Sequence, residues 1–290
     1  MAVLTQEQRI AADKRVREQL GLPMMGTNPN GSASAETMQV EQEIIGTMAY
    51  GFGEIWSRLG LPMRERCFIT LSVLTAKYQL GPIADYVRAS LRVGLTPSEI
   101  LECMLQASSY TGFTAASEAM NVARRVFEAE GLTTPGMEIA PVYPMDLDDR
   151  IAAMKRAVIE CGMGHEGGND PQARPMKYLK SGVWTEKAKD LPVEDDFNMT
   201  GGQYGYGECW GRPALGYRVR CLITIAALQA LFANDQLYFH LNTAVNLGIT
   251  GDEIHEALAQ AGVYAGIAGW RNAANVARNV FLNRGVVEPA

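Results

Sequence analysis

Histidine is scarce in this 290-residue chain, with only His165, His240 and His255. No HExxH or EF-hand spacing occurs, so the common sequence signatures of a protein-held metal are missing. Cysteine is hardly more abundant. The five thiols (Cys67, Cys103, Cys161, Cys209, Cys221) form no CxxC pair and are odd in number, which argues against a disulfide framework and for a reduced compartment. Strand signals, meaning β-branched alternation around two-residue glycine turns, are nearly absent, and no glycine-rich phosphate loop follows a strand. Long apolar runs are missing too. LITIAALQALFA, residues 222–233, is too short to span a bilayer, and the N-terminal MAVLTQEQRIAADKR is polar where a signal peptide is apolar. Positive charge is not in excess: 26 Lys and Arg against 32 Asp and Glu give a net charge of -6 and a pI near 5.3, which disfavours nucleic acid and anionic membranes as partners. These absences predict a soluble cytoplasmic protein without metal or cofactor whose partner is a small molecule or another protein.

What the sequence does contain is a repeat. Tyr50 to Phe127 aligns without a gap with Tyr204 to Phe281 at a constant offset of 154, with 30 identities in 78 pairs, enough to read an internal duplication. No identity falls between Lys77 and Val93. That divergent stretch holds His240, where the first copy has Tyr86. Upstream, QEQRIAADKRVREQLGL (6–22) echoes DDRIAAMKRAVIECGM (148–163) at offset 141, so the second copy carries thirteen more residues between Gly164 and Gly202, in a loop-like segment. Three prolines exclude a continuous helix from TTPGMEIAPVYPMD. The organisation expected is a first domain at 1–132, a linker at 133–146 and a second domain at 147–290.

The remaining pattern is helical. Thr96 with Glu99 and Thr250 with Glu253 have capping-box spacing, each just after a glycine, Gly94 or Gly248, suited to a left-handed helix stop. Pro97 fits the first helical position. Asn234 and Asp235 offer a cap to the helix that holds His240. Gly81 and Pro82 serve at the same place in the first copy.

The strings FGEIWSRLGLPMRERCFITLSVLTA, RASLRVGLTPSEILECMLQASSYTGF and NVARRVF of the first copy have their counterparts in the second. These are YGECWGRPALGYRVRCLITIAAL, FHLNTAVNLGITGDEIHEALAQAGVYAG and NVARNVF. Together they resemble the carboxymuconolactone decarboxylase family of the AhpD-like superfamily. The resemblance implies an all-α fold of tandem duplicated AhpD-like helical domains forming an intramolecular pseudo-dimer, with sites between subunits. It also implies association of chains into a homo-oligomer, a trimer of fused pseudo-dimers. Peroxidases of the family use CxxC with a histidine four residues beyond, and here those positions are Ala233 and Gln236, or Gln79 and Pro82, so thiol peroxide chemistry is disfavoured. The decarboxylase branch commonly carries Glu where this chain has Gln236.

His240 is the leading catalytic candidate because imidazole exchanges protons near neutral pH. The alternative is a core histidine satisfied by hydrogen bonds. Gln236 and Thr243 lie one turn either side on the same face, whereas Leu237 and Leu241 face the core. Glu208 is expected to orient, Arg212 or Arg218 to anchor a carboxylate, and Trp210 with Tyr206 to wall the site. Tyr264 is a further candidate lining residue, although core packing also suits it and its counterpart Tyr110. Tyr86 marks either a silent first site or a phenol contributed to the pocket of His240. The function implied is cofactor-independent decarboxylation of a small anionic lactone or β-keto-type acid, within aromatic-compound catabolism. The alternatives are an isomerase, hydratase or cyclase acting on a secondary metabolite, and a non-catalytic binding or assembly subunit.

Overall fold

The structure is a computed structural model that describes residues 4–23, 46–132, 146–163 and 200–286. The interdomain segment up to residue 145, the loop with the thirteen extra residues, and His165 lie outside the described residues. Those described form helices and no strand. In the first copy α1 is Gln6–Leu20, followed by a π-helical turn π1 at Gly51–Trp56, then α2 Met63–Ala76, α3 Leu80–Arg92, α4 Pro97–Thr111 and α5 Phe113–Ala129. The second copy repeats the order as α6 Leu147–Glu160, π2 Gln203–Trp210, α7 Tyr217–Ala230, α8 Asn234–Asn246, α9 Gly251–Ala265 and α10 Ile267–Arg284.

Local chemistry places most boundaries. Thr96 and Thr250 each accept from the backbone N–H three residues on, and Glu99 and Glu253 return the bond to the cap N–H, so α4 and α9 start on complete capping boxes. Gly94 (φ 88°) and Gly248 (φ 74°) take the left-handed turn before them. The expected cap on α8 is not found. Asn234 and Asp235 already lie within the helix, and the chain enters through Ala233 without a side-chain cap. Gly81 and Pro82 likewise sit inside the first turn of α3. The turns before these two helices instead pass through Tyr78 (φ 54°) and Phe232 (φ 56°), equivalent residues in a conformation that bulky side chains rarely adopt.

The π turns are also repeated. A Cβ at Gly53 or Gly207 would collide with the carbonyl oxygen of Arg9 or Arg150, so glycine is what lets α1 and α6 lie against them. The next residue then ties the contact electrostatically: Glu54 pairs with Arg9 at 2.5 Å and Glu208 with Arg150 at 3.1 Å.

The two copies do not form separate cores. α2 and α7 pack on each other at the centre, α9 lies over α2, and α4 lies over α7, so each copy's capped helix covers the other's central helix. Leu61, Ile69 and Val73 of the first copy belong to the core of the second, and Leu215 and Ile223 make the reciprocal contribution. At the crossing Ser72 donates to the carbonyl of Ile223 at 2.7 Å. The chain is thus a tandem-duplicated all-α pseudo-dimer whose halves are locked by exchanged helices.

Candidate active site

Every third or fourth residue of α8 faces inward, and Leu237, Leu241 and Ala244 on that face are fully buried. His240 belongs to the same face and is 2% exposed. Trp210, the last residue of π2, stacks on its imidazole with centroids 5.5 Å apart and planes 12° from parallel. Phe239 and Tyr110 meet the ring edge-on, at 5.1 and 5.4 Å. Tyr110 comes from α4 of the other copy. Its hydroxyl lies 3.1 Å from Nε2 of His240 and accepts the Trp210 indole N–H at 2.9 Å.

Behind Tyr110 a polar stripe runs along α4 at four-residue spacing. Gln106 donates to Thr224 Oγ1 at 3.2 Å and accepts from Arg220 at 3.0 Å. Glu102 takes Arg220 at 3.0 Å and Arg212 at 2.5 Å. The whole assembly recurs with the copies exchanged. Arg66 bonds Gln260 and Glu256 at 3.1 and 2.8 Å, Gln260 donates to Thr70 at 3.1 Å, and the Trp56 indole donates to Tyr264 at 2.9 Å. At the end of this second relay Tyr264 meets Tyr86, hydroxyl to hydroxyl, at 2.7 Å. The chain therefore holds two related clusters, one ending in an imidazole and the other in a phenol.

Burial without a charged partner sets the protonation state. His240 is pushed down to about 3, so its imidazole is neutral around pH 7. Burial raises Tyr110 well above the ordinary phenol value, and the nearby Tyr206 adds to this, against the opposing hydrogen bonds from Thr224 and Trp210. Burial likewise pushes Tyr86 up to about 12, only partly relieved by the bond from Tyr264. Nδ1 of His240 has no hydrogen-bond partner among the described residues.

The structure brings some of the expected site residues together and separates others. Trp210 touches His240, and Tyr206 lies behind that indole, ring to ring at 6.3 Å. Thr243 is buried and bonds back to the carbonyl of Phe239, and Gln236 is exposed on the first turn of α8. Glu208 pairs with Arg150, and Arg212 is buried against Glu102. Arg218 joins Glu65 to Glu253 at the start of α9, with its shortest contact to each 2.8 Å. Tyr86 and Tyr264 meet each other rather than His240, because the copies exchange their α4 and α9 tyrosines. The tyrosine that reaches His240 is Tyr110. Its signal in the sequence is the Glu102, Gln106, Tyr110 ladder, one face of α4, repeated as Glu256, Gln260, Tyr264.

His255 is exposed at the fifth residue of α9. All five cysteines are free and buried, and burial pushes each thiol above its ordinary value. Among the described residues no three His, Cys, Asp or Glu side chains converge as a metal site would require, and no helix is long and apolar enough to cross a membrane.

A helical pseudo-dimer with a buried imidazole between its halves defines a class that comparison with known proteins makes specific. The pattern of the carboxymuconolactone decarboxylase family matches residues 46–125 and again 202–279, more than half of the chain, and the chain belongs to that family. The 4-carboxymuconolactone decarboxylase of Acinetobacter baylyi is 37% identical over 91 residues, which cover 31% of this chain and 68% of that protein. Nitrosuccinic acid decarboxylase of Metarhizium robertsii is 31% identical over 84 residues, covering 29% of this chain and 57% of that protein. The matched segments are each about the size of one copy of the repeat.

Proposed function

We propose that the chain is a cofactor-independent decarboxylase acting on a small anionic acid whose carboxylate neighbours an electron-accepting group. The observation that carries this reading is the buried, neutral His240, held between Trp210 and the Tyr110 of the other copy, with one ring nitrogen unpartnered. Both relatives are named for decarboxylation, and their substrates share one electronic feature. In 4-carboxymuconolactone an unsaturated lactone carbonyl, and in nitrosuccinic acid a nitro group, can take the electron pair released when the C–C bond to the carboxylate breaks. CO2 leaves, negative charge collects on oxygen, and a proton then adds to carbon.

His240 supplies a hydrogen bond to that oxygen and relays the proton. Trp210 and Phe239 exclude water, so a bound carboxylate loses hydration that the neutral CO2 does not need. Arg212, Arg218 and Glu208 we assign to holding the scaffold, since each already engages a partner of opposite charge. Chains are proposed to associate through apolar residues exposed at equivalent positions of both copies, Phe113 with Ile267 and Tyr78 with Phe232, which light scattering tests.

The functional test is to incubate purified protein with 4-carboxymuconolactone and, separately, with nitrosuccinic acid, recording CO2 and the product. Catalysed CO2 release from either supports the reading. A product of unchanged carbon count indicates an isomerase or cyclase on the same site, and tight binding without turnover indicates a binding subunit.

A further inference from the structure

The relay behind His240 has a direction. Arginine can only donate, so Arg220 fixes the Gln106 amide with its oxygen toward the guanidinium and its NH2 toward Thr224. Thr224 Oγ1 accepts that bond. The Trp210 indole is also a pure donor, and it takes a lone pair of the Tyr110 hydroxyl oxygen. Indole cannot accept in return, so of the two hydrogen-bond partners of the buried Tyr110 hydroxyl only Nε2 of His240, 3.1 Å away, can accept its proton. A neutral imidazole that accepts at Nε2 carries its proton on Nδ1.

We infer that Tyr110 is a positioning residue that selects the tautomer of His240, so that the imidazole presents Nδ1–H as a hydrogen-bond donor to an acceptor oxygen of the ligand. Two observations meet here: of the partners of the Tyr110 hydroxyl only Nε2 can accept its proton, and Nδ1 is the one buried imidazole atom with no partner among the described residues. The chemical class of ligand follows from the tautomer. A carbonyl, enolate or nitronate oxygen matches a lone N–H donor, and a ligand group that itself donates does not. This inference deepens the decarboxylase reading, because the oxygen that receives the charge on CO2 loss is an acceptor of that kind. The first copy supplies an internal control. There the same relay ends on Tyr86, so removing the Tyr264 hydroxyl makes the same chemical change without touching His240.

The test is the nitrogen spectrum of the intact chain labelled with 15N-histidine. With three histidines, His240 is assigned by the signals lost in His240→Gln. The expected wild-type pattern at neutral pH is a single tautomer, Nδ1 protonated and Nε2 of imine type. In Tyr110→Phe the single tautomer should give way to a mixture or to the Nε2–H form, whereas Tyr264→Phe should leave it unchanged. An Nε2–H tautomer in the wild type, or an unaltered His240 spectrum in Tyr110→Phe, overturns the inference. The wild-type spectrum decides the tautomer even where a variant fails to fold. Failure of CO2 release with an Nδ1–H spectrum would remove the decarboxylase reading alone, since the spectrum does not depend on turnover.

Discussion

Tyr110 and His240, 130 residues apart in the chain and in different copies of its repeat, meet at 3.1 Å between phenol oxygen and Nε2. The exchange makes the histidine site a property of the fused pair. Neither copy contains both the histidine and its tyrosine. The same exchange gives Tyr86 the company of Tyr264, so the first cluster keeps the scaffold of the second and lacks its imidazole.

Removing one hydroxyl from each cluster should therefore separate stability from activity. Tyr110→Phe and Tyr264→Phe each leave an indole N–H without its acceptor, and each should lose about 1–3 kcal/mol of stability. Only Tyr110→Phe should slow turnover, on the order of tenfold, less than the loss of a group that itself moves the proton. Denaturant midpoints and initial rates on the same preparations check both halves.

The arginine network should be costly to open. Glu102 faces two buried guanidinium groups, Arg220 and Arg212, and Glu256 faces Arg66 and Arg58. Glu102→Gln or Glu256→Gln takes the carboxylate away from the fully buried Arg220 or Arg66 and should destabilise by roughly 3–5 kcal/mol. Glu65→Gln, which leaves the partly exposed Arg218 with Glu253 alone, should cost roughly 1 kcal/mol or less. Chemical denaturation ranks the three, and equal losses at all of them would contradict the buried network.

How much of this was legible in the sequence follows from the range of the interactions involved. The capping boxes at Thr96 and Thr250 and the glycine stops at Gly94 and Gly248 act over three or four residues, so spacing alone exposes them. The duplication shows in the offset of 154. Burial of Leu237 and Leu241 follows from the helical period, whereas His240, read on a polar face with Gln236 and Thr243, is buried beside them. The pairing of Tyr110 with His240 rather than with Tyr86 depends on which helix covers which, and the repeat leaves that open because Tyr110 and Tyr264 stand at equivalent positions. Arg212 and Arg218 read as candidate carboxylate anchors because Glu102, which meets the first, and Glu65, which meets the second, lie more than a hundred residues away. The uncapped start of α8 escaped because Asn234 and Asp235 are good cap residues that here form the first two positions of the helix.

Acid should weaken the fold through His240. Its folded value, about 3, lies below the ordinary 6.5, so the unfolded chain binds the proton more readily. The stabilising effect of keeping it neutral is complete above pH 6.5 and is lost as pH falls from 6.5 toward 3, at about 1.4 kcal/mol per pH unit. Over that window His240→Gln should lose stability less steeply than the wild type. Parallel stability curves between pH 7 and pH 4.5 would contradict a buried neutral histidine.

Thiol reagents should find little to attack. All five cysteines are buried and every thiol is raised by that burial, so iodoacetamide should leave the native protein unlabelled and turnover unchanged, while unfolded chain takes up five labels. Intact mass spectrometry counts the labels. Rapid native labelling accompanied by loss of activity would point to a thiol mechanism instead.

The most direct measurement is the rate of CO2 release by wild type, His240→Gln and Tyr86→Phe, with 4-carboxymuconolactone or nitrosuccinic acid as the acid tested. A single imidazole site completed across the two copies predicts a loss on the order of a hundredfold or more in His240→Gln and a rate within about twofold of wild type in Tyr86→Phe. Retention of wild-type rate by His240→Gln, or equal losses in the two variants, would contradict it.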